Sequence, residues 1–380
     1  MSRARVAYAE LRALSAPMLQ PVGNARRSWP QRAGLLLRLG DDQGLVGLGE
    51  ASPLPGYSAD DLATCRERLQ QVPWGELELE LAADQTFLAP AERVLARLPP
   101  AARCAAETAL LDLIARRRGL PLATLLRGET PPAAVALSAL LVGETPAELL
   151  ASANAALGRG FRVLKLKVGR PGGAAGELAA LRELRRQLGT AVGLRLDANR
   201  AWSLAEASAY LAALEEFAPE IIEEPLADAR ELCQLQTPLR IALDESLQEL
   251  AQDAELCPLL AAGAVQALVL KPMALGGPLR CLALAQLGAS YGVPAVVTHL
   301  FDGTVALAGA AAVALALPMA LACGLDVHPG LALGPAGPRA GGVSAQLAPP
   351  QFPGLGIELE EAQLPQPCLW SSGTSAGARY

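Results

Sequence analysis

Two rhythms of hydrophobic and polar positions divide the chain. Up to about residue 130, Val6–Leu14 and Gly34–Leu39 predict strands, and LVGLGEASPLPGYS (45–58) predicts a strand running into a Pro/Gly loop. Helical spacing follows from Asp60 to Gln71 and again from Pro90 to Arg118, with Gly119 as a C-cap signal and Pro121 beyond it. Strands first and helices after predict a separate α+β unit over 1–130. From about Ala133 the order becomes strand, helix, strand, helix. Candidate strands fall at 134–142, 161–167, 192–197, 220–223, 240–244, 267–271, 294–298 and 320–325, with amphipathic helices between them such as Gly176–Leu188 and Leu204–Phe217. Eight such alternations predict an α/β fold with a (β/α)8-type barrel over 131–355. A doubly wound sheet competes, but no Gly-rich phosphate loop follows its first strand. The C-terminal segment, 356–380, turns Ser/Gly/Pro-rich from about Pro365 and is expected to be a disordered or loosely packed tail.

Composition narrows the class. A chain of 380 residues accommodates a large domain and a smaller one, and 52% hydrophobic content with a mean hydropathy of +0.28 supplies a substantial core. Net charge is −6, and the one basic cluster, Arg116-Arg117-Arg118, reads as a helix end favoured by the macrodipole, so nucleic acid is excluded as a partner. Seven scattered cysteines without a CxxC pair fit a reduced, cytoplasmic chain. The first residues carry Glu10 and Arg12 and lack the apolar run of a signal peptide. Thr304–Leu325 holds 22 residues without a charge, the length of a membrane span. It is mostly Ala, contains Gly309 and Pro318, and falls where a barrel helix and the next strand are due, so it predicts buried structure and no membrane partner.

The candidate chemistry lies where apolar runs stop on a charge. LKLKVG (Lys165, Lys167), LRLDANRAW (Asp197, Asn199), IIEEPL (Glu223, Glu224), IALDES (Asp244, Glu245) and LVLKP (Lys271) recur every 21 to 32 residues. In a barrel the strand C-termini form the active face. Asp197, Glu223 and Asp244 then stand at adjacent points of the rim, where three uncompensated carboxylates would repel one another without a cation. Hard oxygen donors with no His or Cys select Mg2+, with Mn2+ as a substitute, over zinc. A single Asp of this kind is an ordinary helix cap, as Asp197 before Asn-Arg-Ala-Trp and Asp244 before Glu-Ser could each be; three in register with flanking lysines argue for a site.

Lys165 and Lys167 are two apart on a strand and share its inner face. Desolvation and like charge disfavour the charged form of such amines, so one can serve as a base near neutral pH; lysines snorkelling at a strand end are the alternative. Arg195 shares a face with Asp197 and is open to two readings, a pocket residue or a structural ion pair. Lys271 ends the sixth strand, across the barrel from the second. Lysines on two sides of a metal suit abstraction of a proton next to a substrate carboxylate.

KxK, DxN, EEP, DES and KP in this order resemble the enolase superfamily, in its muconate-lactonizing subgroup, over nearly the whole chain. Sites of that superfamily are known to pair a Lys or His base with Mg2+. The resemblance implies an N-terminal α+β capping domain over 1–130, joined by part of the C-terminal segment, above a modified barrel. GEASPLPGYS (49–58), ETALLDLIARRRGLPL (107–122), LDANRAWS (196–203) and LDESL (243–247) are most similar to the o-succinylbenzoate synthase family of menaquinone biosynthesis. That likeness implies Mg2+ on Asp197, Glu223 and Asp244, with Glu223 chosen as the first acid of EEP. It implies Lys167 as the base that also protonates the departing hydroxyl, Lys165 as its tuner, and Lys271 as the charge that stabilises the enediolate. Loops 22–32 and 52–58 would close over a small-molecule carboxylate substrate, with Arg195, Asn199, Ser52, Pro53, Gly56, Thr298, His299, Phe301 and Asp302 as its contacts. THLF resembles the His-bearing segment of mandelate racemase-like members, but Leu268 stands where those carry the Asp partner, so His299 reads as a pocket-wall or buried histidine. His328 reads as a loop residue. Racemisation of N-acylamino acids or dipeptides and cycloisomerisation are the competing reactions; Asp326 alone in GLDVH, in place of an Asp-x-Asp, weakens the dipeptide reading. A non-catalytic binding barrel would be marked by loss of a ligand or lysine, and none is lost. No surface pattern decides between monomer and homo-oligomer.

Overall fold

Period-two patterning produces the first strands, and the computed structural model describes residues 3–23, 28–80, 88–170, 173–250, 253–326, 344–359 and 364–373. Strands β1 (Arg3–Gly23), β2 (Ser28–Asp41) and β3 (Val46–Ala51) form an antiparallel sheet, with β4 (Glu78–Glu80) also on β1. Against it packs the Pro100–Arg117 helix, buried along most of its length. Gly47 and Gly49 make that approach feasible: a Cβ on either would stand 2.1 Å and 1.9 Å from the carbonyl oxygens of Ala109 and Ala105. Helical spacing from Pro90 to Arg118 predicts one helix; two form, Glu92–Leu95 and Pro100–Arg117, because Pro99 and Pro100 cannot continue the first.

The second sheet is parallel and barrel-like. β5 (Val135–Ala136), β6 (Ala139–Leu140), β7 (Val163–Lys167), β8 (Gly193–Asp197), β9 (Ile221–Glu223), β10 (Ile241–Leu243), β11 (Ala267–Leu270) and β12 (Ala295–Val297) fall in seven of the predicted segments. Seven of them, β6 to β12, are joined in sequence order. The first segment, 134–142, is split, because Leu137 donates to Ala345 O and Ser138 to Cys323 O as the strand changes partners. The expected eighth strand, 320–325, forms no ladder. Isolated parallel bridges join Ala320 to Ala295, Gly324 to Thr298 and Cys323 to Leu137, so the segment still spans from β12 back to the start of the sheet. Among the described residues no helix is long and apolar enough to cross a membrane, and the charge-free stretch becomes the 13-residue helix Thr304–Ala316, buried from Val305 onward.

The chain then returns to the first sheet. β13 (Gln346–Leu347) pairs with β5, and β14 (Cys368–Gly373) pairs antiparallel with β1. Cys368–Gly373, expected in a disordered or loosely packed tail, is therefore a strand; unpaired N–H and C=O groups along the β1 edge recruit it. Two buried carboxylates tie the sheet systems together. Asp112 accepts from Leu48 N and Leu355 N, while Glu50 accepts from Gly303 N and Ala306 N at the start of the Thr304–Ala316 helix. His328 and part of loop 22–32 lie outside the described residues.

Candidate active site

Ladder register assembles the site. Lys167 is the cross-strand partner of Asp197, and Asp197 of Glu223; Asp244 follows β10 and Lys271 follows β11. Along β7 the buried residues are Leu164 and Leu166, and Lys165 and Lys167 share the other face. Lys165 Nζ lies 2.9 Å from Asp197 Oδ2 and 2.6 Å from Glu223 Oε1. Lys271 Nζ pairs with Asp244 Oδ2 and donates to Tyr57 Oη at 2.8 Å; Tyr57 in turn donates to Asp244 Oδ1 at 3.1 Å. The Lys271 amine also sits 4.5 Å from the centre of the Tyr57 ring. An aromatic of loop 52–58 thus reaches from the first sheet onto the strand ends of the second. Sequence reasoning missed it, although Tyr57 follows Gly56 in the GEASPLPGYS segment.

The two lysines of β7 differ electrostatically. Burial, then the Lys165 and Lys271 amines, hold Lys167 below the usual lysine range against the pull of Asp197. Burial opposes the charge on Lys165 too, but Asp197, Glu223 and Asp244 outweigh it and raise its pKa; Asp244, Glu245 and Glu223 do the same for Lys271. Burial and the charge of Asp197 push Glu223 well above the carboxylate range. Burial and Asp244 raise Glu245 to about 7.

A second layer fixes these groups. Glu224, at φ 45, turns aside from the ladder; its carboxylate accepts from Asp244 N at 2.6 Å, Ser246 N at 2.8 Å and Ser246 Oγ at 2.9 Å. The two acids of EEP therefore divide: Glu223 meets Lys165, and Glu224 holds the turn that carries Asp244. Asn199 N–H donates to Asp197 Oδ1 and its amide to Glu245 Oε1.

The donor set fits a hard cation in chemistry and placement, since three buried carboxylates stand on adjacent strand ends, and burial with the charge of Asp197 raises the pKa of Glu223 among them. Among the described residues no three His, Cys, Asp or Glu side chains gather into a ready metal cluster. The Lys165 and Lys271 amines engage these oxygens instead, so a cation would compete with them.

The other expected contacts are dispersed. Arg195 pairs with Glu220 and donates to Ala322 O at 2.6 Å, the ion-pair alternative. Thr298 Oγ1 donates to Gly324 O. His299 accepts from Asp302 N at Nδ1 and lies 3.2 Å from Asp326 O through Nε2, so it is hydrogen-bonded on both sides and burial lowers its pKa. Ser52 Oγ donates to Glu50, and Gly56 turns loop 52–58 with φ 77. The carbonyls of Ser52, Pro53 and Phe301 all accept from Arg32, which also lies 3.9 Å from Asp302. Asp326 is held bidentately by Arg159, at 2.9 and 2.7 Å.

Comparison with known proteins identifies the family and fold. Residues 148–363 match the family described as enolase C-terminal domain-like, and residues 9–127 match the mandelate racemase / muconate lactonizing enzyme N-terminal domain. The chain is 29% identical over 311 residues to the chloroplastic protein PHYLLO of Arabidopsis thaliana, a match covering 73% of this chain but 17% of that protein. It is 34% identical over 298 residues to N-succinylamino acid racemase of Thermus thermophilus (76% and 77% covered). It is 31% identical over 251 residues to o-succinylbenzoate synthase of Thermosynechococcus vestitus (62% and 67% covered). Among solved structures, the dipeptide epimerase from Methylococcus capsulatus complexed with Mg and the dipeptide L-Arg-D-Lys superposes with a TM-score of 0.81 at 28% identity, covering 93% of this chain and 99% of that one.

Proposed function

The chain belongs to the mandelate racemase / muconate lactonizing enzyme family of the enolase superfamily, a family of enzymes, and from that premise we propose that it is a carbon–oxygen lyase, an o-succinylbenzoate synthase. The observation that carries the reading is the order of groups on the rim: Lys167, then Asp197, Glu223 and Asp244, then Lys271, on successive strand ends. The substrate is 2-succinyl-6-hydroxy-2,4-cyclohexadiene-1-carboxylate. Lys167, whose pKa is lowered, takes the proton α to the carboxylate, and the C–H electron pair passes into an enediolate. The same amine then delivers its proton to the departing hydroxyl on that face; the C–O bond breaks, water leaves, and the ring becomes aromatic. Lys165 adds the like charge that lowers Lys167, and Lys271 supplies fixed positive charge on the other side. Asp197, Glu223 and Asp244 would hold a Mg2+ ion, whose charge would neutralise the substrate carboxylate. We assign 1–130, with part of 356–380, as the unit that closes over the 131–355 barrel.

Purified protein with Mg2+ is expected to form o-succinylbenzoate from this substrate, and EDTA is expected to stop it. No turnover by metal-replete protein would reject the assignment. A second reading, racemisation of N-succinylamino acids, is favoured by the similarity to the Thermus racemase, since a lysine on each side of the carboxylates serves a proton transfer between faces equally well. Deuterium exchange at Cα of N-succinylamino acids, run beside the dehydration, separates the two. A dipeptide substrate is less well supported, because Asp326 is already engaged by Arg159.

A further inference from the structure

Arg32 is buried at 6% exposure between the two sheet systems, and its hydrogen bonds go to none of the strand-end carboxylates or lysines. Its three donor positions point to three main-chain oxygens in two separate loops. Nε donates to Phe301 O at 3.0 Å, Nη1 to Pro53 O at 3.1 Å, and Nη2 to Ser52 O. Three residues earlier on β2, Trp29 donates from Nε1 to Pro55 O at 3.2 Å, and its ring lies 6.2 Å from that of Phe301. The first of these loops carries Tyr57 onto Lys271 and Asp244; the second carries His299 and holds Phe301 at φ 55. A non-glycine residue persists in that conformation only where its surroundings over-determine it. The charge itself does not account for a guanidinium here: a buried ion pair is weak evidence for stability, and the Asp302 contact is a loose 3.9 Å. What the guanidinium uniquely offers is a rigid planar fork that a lysine cannot reproduce.

We infer that Arg32 is a positioning residue for substrate choice: its fork sets the separation of loops 52–58 and 299–302, which wall the strand-end site, and so selects among substrates by the group attached beyond the reacting carboxylate. The inference rests on the strand-end site being where substrate binds. The binding group is main-chain carbonyl in every case, so the clamp is indifferent to the loops' own side chains.

The test compares Arg32→Lys, which keeps the charge and loses the fork, with Arg32→Met. Protein labelled with 5-fluorotryptophan reports loop placement through the Trp29 resonance, assigned by Trp29→Phe. Kinetics are measured on the dehydration substrate and on N-succinylamino acids. Both variants are expected to shift the Trp29 resonance, to raise KM for one of the two substrates about tenfold with kcat within about threefold, and so to change the ratio of kcat/KM between the two substrates by about tenfold. A lysine variant that matches the wild type in all three readouts, equal losses on both substrates, or an unmoved Trp29 resonance overturns the inference. If Arg32→Met fails to fold, Arg32→Lys decides alone. If wild-type protein turns over neither substrate, the proposed function fails, and the clamp stands or falls on the Trp29 resonance.

Discussion

Glu223 and Glu224 are neighbours of one chemical type, yet their replacement by alanine is expected to affect the apo-protein differently. Glu224 is 1% exposed and accepts two backbone N–H groups, from Asp244 and Ser246, besides the Ser246 hydroxyl. Removing it strands two buried donors at about 1–3 kcal/mol each, or roughly 2–6 kcal/mol together. Burial raises the pKa of Glu224, so eliminating its charge returns part of that and places the loss toward the lower end. Glu223 meets Lys165, which keeps Asp197 when Glu223 is gone, and its own pKa is raised well above the ordinary value. A carboxyl with a raised folded pKa opposes folding once the pH exceeds its unfolded value, so Glu223→Ala at pH 7 is expected within about 1 kcal/mol of wild type. The assay is urea unfolding with EDTA present, followed by far-UV circular dichroism and by tryptophan emission so that coincident transitions certify a single step. Glu224→Ala should cost at least about 1 kcal/mol more than Glu223→Ala. Equal losses, or the reverse order, would refute the division of the two acids into one that holds the turn and one that faces the site.

Three further outcomes are expected. Lys167→Ala should lower kcat by about 10²–10⁴-fold with an unchanged circular dichroism spectrum, and activity within tenfold of wild type would remove Lys167 as the base. Tyr57→Phe keeps the ring over Lys271 and deletes the hydroxyl between it and Asp244; kcat/KM should fall about tenfold, the equivalent of one hydrogen bond to a charged group, and an unchanged value would make the contact incidental. Glu107, fully buried and accepting from Leu279 N, has its pKa raised by burial to about 7. Its ionisation opposes folding increasingly from about pH 4.5 to 7 and constantly above, so Glu107→Gln, which keeps the acceptor, should be more stable than wild type by up to about 3 kcal/mol at pH 8 and equal to it near pH 4 in thermal denaturation. A stability difference that does not change with pH would contradict the raised pKa.

The parts of this molecule legible in its sequence are those set by short-range physics. Leu164-Lys165-Leu166-Lys167 announces a strand with amines on one face because alternation is a property of the pleat itself, and the same rule places Asp197 and Glu223 in register once parallel order is accepted. Elements whose existence depends on a distant partner carry no such local signal. Cys368–Gly373 has the composition of a tail and becomes a strand because β1 presents an open edge about 360 positions earlier. The segment 320–325 has the composition of a strand and yields only isolated bridges. Polar side chains follow the same division. Asp197, Asp244 and Lys271 advertise themselves by ending apolar runs, whereas Arg32 and Arg195 are arginines within β2 and β8 whose partners no local pattern discloses. One has main-chain carbonyls of two loops as its partners and the other has Glu220 with Ala322, and only the folded chain supplies those partners. Tyr57 lies between these cases. Its loop could be singled out from the Gly and Pro that shape it, but its target could not, because the contact joins residues 57 and 244 across the two sheet systems. The charged strand ends are thus written in local pattern, while the partners of Arg32 and Tyr57 are set by long-range contacts between loops and sheet systems.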